Sequence, residues 1–197
     1  PYTMHRKNFS FNLIKARLSE TIIQQLFIQC GYSVFHYGME NAVPAIVGLL
    51  NNDNSEAALS IRQMPDFVIQ SPDGQLYYLE VKYRARSPFK HAELKGHFPY
   101  QNAWFIVVTK NAFYCASYPE IAAQGYLPYE DAFRLENRPE FSLAPSSVAA
   151  FQEVSQRFFR APSSLLGRGL PHLESKCPWC KFTPKVKCYG PTKHLPH

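Results

Sequence analysis

A tight-turn sequence, SPDG at residues 71–74, constrains the fold of this 197-residue chain more than any other feature. It separates two segments rich in β-branched and aromatic residues, DFVIQ and QLYYLEVKYR, which predict a pair of strands. Pro-Asp-Gly favours a type I turn followed by a left-handed glycine, which connects an antiparallel hairpin with a one-residue bulge. In that hairpin Ser71 faces Gln75, and counting outward places Asp66 directly opposite Glu80.

This register predicts two carboxylates and a lysine on one face of the sheet. Opposed residues of antiparallel strands have Cβ atoms about 5 Å apart, and Lys82 shares the face of Glu80 because strand side chains alternate. Asp66 and Glu80 would repel each other in apolar surroundings. A divalent cation held by both would relieve that repulsion, and oxygen ligands favour Mg²⁺ or Mn²⁺. The alternative is an ordinary hairpin in which Glu80 and Lys82 form a surface ion pair.

The rest of residues 1–160 predicts an α/β domain. The spacing of apolar residues, together with capping and turn residues, predicts four helices, over residues 10–30, from 88 onward, over 117–125 and over 148–160. It also predicts further strands over residues 32–37, 103–110 and 111–117. The last helix is predicted to bury Val148, Phe151, Val154 and Phe158. Residues 38–63 form a mixed insert without a clear period.

Composition indicates a globular protein with a polyanionic partner. Hydrophobic residues make up 46% of the chain, charged residues make up 18%, and the net charge is +6. A positive chain gains free energy by releasing the counterions of nucleic acid. Anionic membrane would suit the same charge, but no apolar run approaches the roughly 18 residues of a membrane span. We therefore expect a soluble, cytoplasmic protein that binds nucleic acid.

The pairing of Pro65-Asp66 with Glu80-Val81-Lys82 resembles the motifs of the PD-(D/E)xK nuclease superfamily. The resemblance implies a restriction-endonuclease-like core, which is a mixed central β-sheet flanked by helices. It implies that Asp66 and Glu80 bind one or two Mg²⁺ ions, with the carbonyl of Val81 as a further ligand. Lys82 would orient the attacking water or help deprotonate it. The implied reaction is hydrolysis of phosphodiester bonds, with DNA favoured over RNA.

Glu20 matches a further carboxylate that members of this superfamily commonly carry on the first core helix. The resemblance extends over about residues 10–118. Helical spacing places Glu20 on one stripe with Leu13, Ala16, Ile23 and Phe27, so that it faces inward. An inward carboxylate needs a positive partner. Two interpretations stay open: Glu20 belongs to the catalytic metal site, or it bonds Arg17 or a nearby N–H.

Basic residues follow the second motif. Arg84, Arg86 and Lys90 are predicted to contact the phosphate backbone of nucleic acid as it enters the site. The alternative is a solvated basic face without a ligand.

Residues 161–197 differ from the preceding domain and predict a small zinc-stabilised extension. They are rich in Pro, Gly, Lys and His, and they lack the periodicity of a packed core. A structural Zn²⁺ is predicted on Cys177, Cys180, Cys188 and His194, with His172 or His197 as alternatives to His194. Lys181, Lys185 and Lys187 surround this cluster and are predicted to bind nucleic acid. The alternative is a flexible tail with reactive thiols, or a site completed by a ligand elsewhere.

Two functions from different classes follow. The first is a metal-dependent nuclease, favoured because a structural protein has no physical reason to keep two carboxylates facing each other. The second is a module of the same fold that binds nucleic acid or a larger assembly without cutting it. A homodimer is compatible with either function.

Overall fold

The computed structural model describes residues 2–38, 53, 55–94 and 98–159, with side chains described from residue 12 onward. The predicted boundary after residue 160 and the whole of the predicted tail lie outside these residues. None of the helices in the described ranges is long and apolar enough to cross a membrane. The helices are α1 (Tyr2–Gln29), α2 (Glu56–Arg62), α3 (Tyr118–Gln124) and α4 (Pro145–Phe159), and the strands are β1 (Ser33–His36), β2 (Phe67–Gln70), β3 (Leu76–Tyr83), β4 (Ala103–Val108) and β5 (Phe113–Ser117).

The strands form one mixed sheet in the order β1-β2-β3-β4-β5. β3 and β4 are parallel, and the other neighbouring strands are antiparallel. One face packs on α1 and α4 through a core that includes Ile23, Phe27 and Val148. The other face packs on α3 and the β3–β4 connection through residues that include Phe89 and Ile121. The predicted α/β class with a mixed central sheet flanked by helices is therefore confirmed.

The predicted hairpin and its register are confirmed as well. Gly74 has a φ of +89°, and the Ser71 N–H donates to the Gln75 carbonyl at 2.9 Å. Phe67 pairs with Leu79, so the next pair outward sets Asp66 against Glu80. Because four contiguous residues determine the turn, the position of the carboxylate pair follows from local chemistry.

Replacing Gly74 with alanine is expected to lower the free energy of unfolding by about 1 kcal/mol, because only glycine adopts this backbone conformation without strain. A Cβ at position 74 would meet no atom within 4 Å, so the cost is purely conformational. Urea unfolding measures the change. Gly74→Asn is the matched control, since asparagine tolerates the left-handed region better, and an alanine variant as stable as the parent would contradict this account of the turn.

Three predictions about helices need correction. α1 begins at Tyr2 instead of Ser10, although it ends before Gly31 as predicted, where φ is +87°. The helix predicted from residue 88 is wrong over the described residues 88–94, where His91–Glu93 forms a 3-10 turn and no α-helix is present. The residues before that turn are instead tied to the segment after α3: the Leu127 N–H donates to the Phe89 carbonyl at 2.8 Å.

The predicted buried face of α4 is the third correction. Val148 is buried as predicted, but Val154 and Phe158 are 39% and 57% exposed. Gln152 and Ser155 occupy the buried positions instead. Both find polar partners there, because Gln152 donates to the Glu136 carboxylate and the Ser155 hydroxyl donates to the Thr109 carbonyl. Burial of a polar side chain is tolerated when it is hydrogen-bonded.

Arg138 connects α3 to the chain that follows it. The side chain is buried and donates hydrogen bonds to both carboxylate oxygens of Glu120. It also pairs with Glu140 at 3.1 Å, and its guanidinium lies 5.0 Å from the ring centroid of Trp104.

We expect Arg138→Met to lower the free energy of unfolding by about 2 kcal/mol, because it leaves two partly exposed carboxylates without their cation. Thermal unfolding measures the change, with Arg157→Met as control for an exposed arginine. Equal stability of the two variants would contradict the proposed role.

Candidate active site

β2 and β3 separate at Asp66. The Asp66 carbonyl accepts a hydrogen bond from the Tyr37 N–H at 3.0 Å, and its carboxylate oxygen Oδ2 accepts from the Val81 N–H at 2.7 Å. The Asp66 side chain therefore accepts the hydrogen bond that the backbone of β2 would otherwise accept from Val81. Residues in an antiparallel ladder direct their N–H and C=O to the same side, so the Val81 carbonyl also points into the fork between the strands.

Glu80 and Lys82 lie beside Asp66, as the hairpin register predicts. The Lys82 ammonium pairs with the Glu80 carboxylate. The Glu80 side chain is 14% exposed and the Lys82 side chain 33% exposed, so this pair lies within a cleft rather than on an open surface. The predicted alternative of a Glu80–Lys82 ion pair thus forms, but next to a second, buried carboxylate.

The Asp66 carboxylate is buried next to Glu80, and both facts disfavour its negative charge. Burial and the neighbouring Glu80 raise the pKa of Asp66 well above its ordinary value, although Lys82 and the Val81 N–H act in the opposite direction. Burial by itself would lower the pKa of Lys82, but Glu80 and Asp66 outweigh it and the net pKa is raised. In the metal-free protein Lys82 therefore stays protonated, and its ammonium does not cancel the rise in the pKa of Asp66 that burial and Glu80 cause.

Glu20 reaches the same cleft from α1. Its side chain is 12% exposed and forms an ion pair with Arg17 at 2.9 Å, which is the bond that the second interpretation predicts. The expected apolar surroundings are only partly present, because Leu13 is 51% exposed where the cleft opens. Glu20 also contributes to the raised pKa of Asp66. The structure is therefore compatible with both interpretations of Glu20, as part of the metal site and as the partner of Arg17.

Within the described ranges, no three His, Cys, Asp or Glu side chains are close enough to hold a metal ion. The predicted metal ligands are Asp66, Glu80, Val81 and Glu20. The three carboxylates among them do not come close enough together to form one cluster. Mg²⁺ commonly uses one or two carboxylates and keeps its remaining ligands as water. Asp66, Glu80 and the Val81 carbonyl fit that requirement without Glu20.

The cleft around these residues has a volume of about 640 Å³. Among the described residues, its lining mixes three carboxylates with a larger number of cations. Arg62 and Met64 come from α2 and the segment that follows it, and neither was predicted as a site residue. The one available signal was the helix start itself, since Ser55 caps α2 by accepting from the Ala58 N–H. The charged lining residues are Arg17, Glu20, Arg62, Asp66, Glu80, Lys82 and Arg84.

The predicted phosphate-binding residues separate into two groups. Arg84 lines the cleft, where it pairs with Glu93 and lies 5.6 Å from the ring centroid of Phe89. Arg86 and Lys90 are exposed and do not line the cleft. Contact with nucleic acid stays a prediction for all three.

The predicted residues of the tail lie outside the described part of the chain. They are the zinc ligands Cys177, Cys180, Cys188 and His194 and the basic residues Lys181, Lys185 and Lys187, and their roles stay predictions.

Comparison with protein families, with curated proteins and with solved structures finds no match for this chain. Any function must therefore be argued from the cleft and its residues.

Proposed function

We propose that this protein is a metal-dependent nuclease of the PD-(D/E)xK type, which hydrolyses phosphodiester bonds of nucleic acid and prefers DNA to RNA. The observation that carries the proposal is the buried Asp66 carboxylate set against Glu80 and Lys82 in a cleft. Folded proteins rarely bury an acidic side chain unless it has a compensating partner. The mixed sheet flanked by helices and the net charge of +6 add support.

Asp66, Glu80 and the Val81 carbonyl would hold a divalent cation. The raised pKa of Asp66 supports this assignment, because a cation between the two carboxylates would remove the repulsion that raises it. When bound, such a cation lowers the pKa of a water and offsets negative charge on the phosphate.

Lys82 acts as a hydrogen-bond donor in this proposal. In the metal-free protein Glu80 and Asp66 raise the pKa of Lys82 and keep its ammonium charged, and as an ammonium it would donate hydrogen bonds to the attacking water or to a non-bridging phosphate oxygen. Glu80 holds the ammonium in place through their ion pair. Arg17 and Arg62 line the same cleft and would bind phosphates on either side of the scissile bond. Glu20 orients Arg17.

The test is cleavage of labelled single-stranded, duplex and branched DNA and of RNA in Mg²⁺, Mn²⁺ and EDTA. We expect cutting that requires the metal and that Asp66→Asn abolishes. Asp131→Asn is the matched control, because Asp131 is exposed and outside the cleft. If both the parent and Asp66→Asn bind nucleic acid in a salt-sensitive way but the parent never cuts it, the second function is favoured, which is a module that binds nucleic acid without cutting it. In that module, Lys82 and Arg17 would neutralise the carboxylates permanently.

A structural Zn²⁺ in residues 161–197 belongs to the same proposal. Native mass spectrometry of the full chain should detect one zinc that Cys180→Ser removes. Four protein ligands would leave no open position for water, so the zinc would not act in catalysis.

A further inference from the structure

A second cleft, of about 560 Å³, adjoins the active-site cleft. The two clefts share five lining residues, and these include the Glu80–Lys82 pair. They are therefore two sides of one groove that crosses the proposed reaction centre. The shared residues are Arg62, Met64, Glu80, Lys82 and Arg84.

The second cleft differs from the first in its chemistry. Leu59 of α2 and Leu94 of the β3–β4 connection are half-buried walls, and Phe89 and Phe98 are almost fully buried beneath them. Both phenyl rings pack on Phe105 of β4, with ring centroids 5.3 and 5.5 Å from its centroid. The sheet therefore holds both rings, which leave almost no surface open, since the Arg84 guanidinium lies over Phe89 and Tyr118 stacks on Phe98. The open apolar surface of the cleft comes from Leu59, Leu94 and Met64.

Cations surround this apolar surface. Arg62, Lys82 and Arg84 line the cleft, where Lys82 pairs with Glu80 and Arg84 pairs with Glu93. A ligand that suits the whole cleft combines an apolar group with negative charge at its edge. A nucleotide has both, because its base buries apolar surface while its phosphate meets cations.

We infer that the second cleft binds the base of a nucleotide next to the scissile phosphodiester, and that the strand is therefore unpaired where it is cut. This inference rests on the proposed nuclease function. In a duplex the bases are stacked and cannot enter a side cleft unless they are flipped out. An apolar cleft continuous with the carboxylate pair serves a substrate only when a base leaves the stack.

The first test uses the unaltered protein and single-stranded DNA with one preferred cleavage position. A single abasic nucleotide is moved along the strand, and KM and kcat are measured for each substrate. We expect KM to rise on the order of tenfold when the abasic nucleotide adjoins the cleaved bond, since burying one base against apolar side chains contributes at this scale. Abasic nucleotides several positions away should have little effect.

The second test fills the cleft. Leu59→Trp introduces a larger side chain at a residue that belongs to neither core cluster. We expect it to raise KM for intact single-stranded DNA on the order of tenfold and to remove the sensitivity to the abasic nucleotide. Leu76→Trp is the matched control, because Leu76 is 64% exposed and lines neither cleft.

The outcomes separate the inference from the function on which it rests. Absence of cutting by the parent in Mg²⁺ and Mn²⁺ overturns the nuclease proposal, and the inference with it. Cutting that ignores the abasic nucleotide at every position, or that prefers intact duplex, overturns the inference alone. If Leu59→Trp changes only the oligomeric state measured by light scattering, a second copy of the chain covers the cleft and the inference is wrong.

Discussion

Asp66→Asn is expected to reduce phosphodiester cleavage on the order of a thousandfold or more, while the metal-free protein becomes more stable. The loss follows because the amide no longer supplies a charged ligand at the centre of the site. The gain follows because the neutral side chain removes the repulsion that burial and Glu80 impose on Asp66. An asparagine oxygen can still accept the hydrogen bond from the Val81 N–H, so the fork between β2 and β3 is retained.

The stability gain should depend on pH. The unfolded pKa of an aspartate is close to 3.8, and the folded pKa of Asp66 is higher. Below 3.8 Asp66 is protonated in both states, so it brings no penalty. As pH rises from 3.8 through the folded pKa, the unfolded chain releases its proton first and the folded protein loses relative stability. The advantage of Asp66→Asn should therefore grow across that window and level off above it.

Urea unfolding of both proteins in EDTA at several pH values measures this advantage. Adding Mg²⁺ should raise the melting temperature of the parent and leave that of Asp66→Asn nearly unchanged, because only the parent retains both carboxylates. Asp131→Asn should follow the parent in every condition. A parent that is more stable than Asp66→Asn without metal would show that the Asp66 carboxylate is already compensated, and would remove the main argument for a cation.

The carboxylate pair could be predicted from sequence because its placement is local. The turn at residues 71–74 determines which residues of the hairpin face each other, and no distant contact is needed to bring Asp66 against Glu80. Lys82 follows from strand alternation alone. The capping box of Ser117 and Glu120 was predictable for the same reason, since its two partners are three residues apart.

The rest of the cleft could not be predicted because it depends on tertiary packing. Arg62 reaches the site only because α2 lies over the cleft, and no local pattern in residues 38–63 indicates where that helix docks. The ion pair between Arg17 and Glu20 shows a related limit, since spacing placed Glu20 on the inward stripe but did not choose its partner. The segment near Phe89 failed as a helix because its backbone bonds with Leu127, which is remote in sequence.

Lys82→Met is expected to reduce cleavage on the order of a hundredfold or more and to lower the free energy of unfolding by about 1–3 kcal/mol. The activity falls because the ammonium that donates to water or phosphate is lost. The stability falls because Glu80 and Asp66 then face each other without their cation. The stability cost is below that of a fully buried pair, since a third of the Lys82 side chain is exposed and water can reach the site.

Two further variants separate these effects. Combining Lys82→Met with Asp66→Asn should recover most of the lost stability and none of the activity, because only one carboxylate then remains to be neutralised. Lys82→Arg should keep the stability but lose activity, since a planar guanidinium cannot occupy the position of the ammonium. The ratio of parent activity to Lys82→Arg activity, measured across pH, identifies the role of Lys82, because ionisation of a metal-bound water affects both proteins alike. If Lys82 is the donor, this ratio stays constant from neutral pH up to the ordinary lysine pKa of 10.5. If Lys82 is a base, the ratio rises steeply with pH across that range, which would contradict the assignment of Lys82 as the donor.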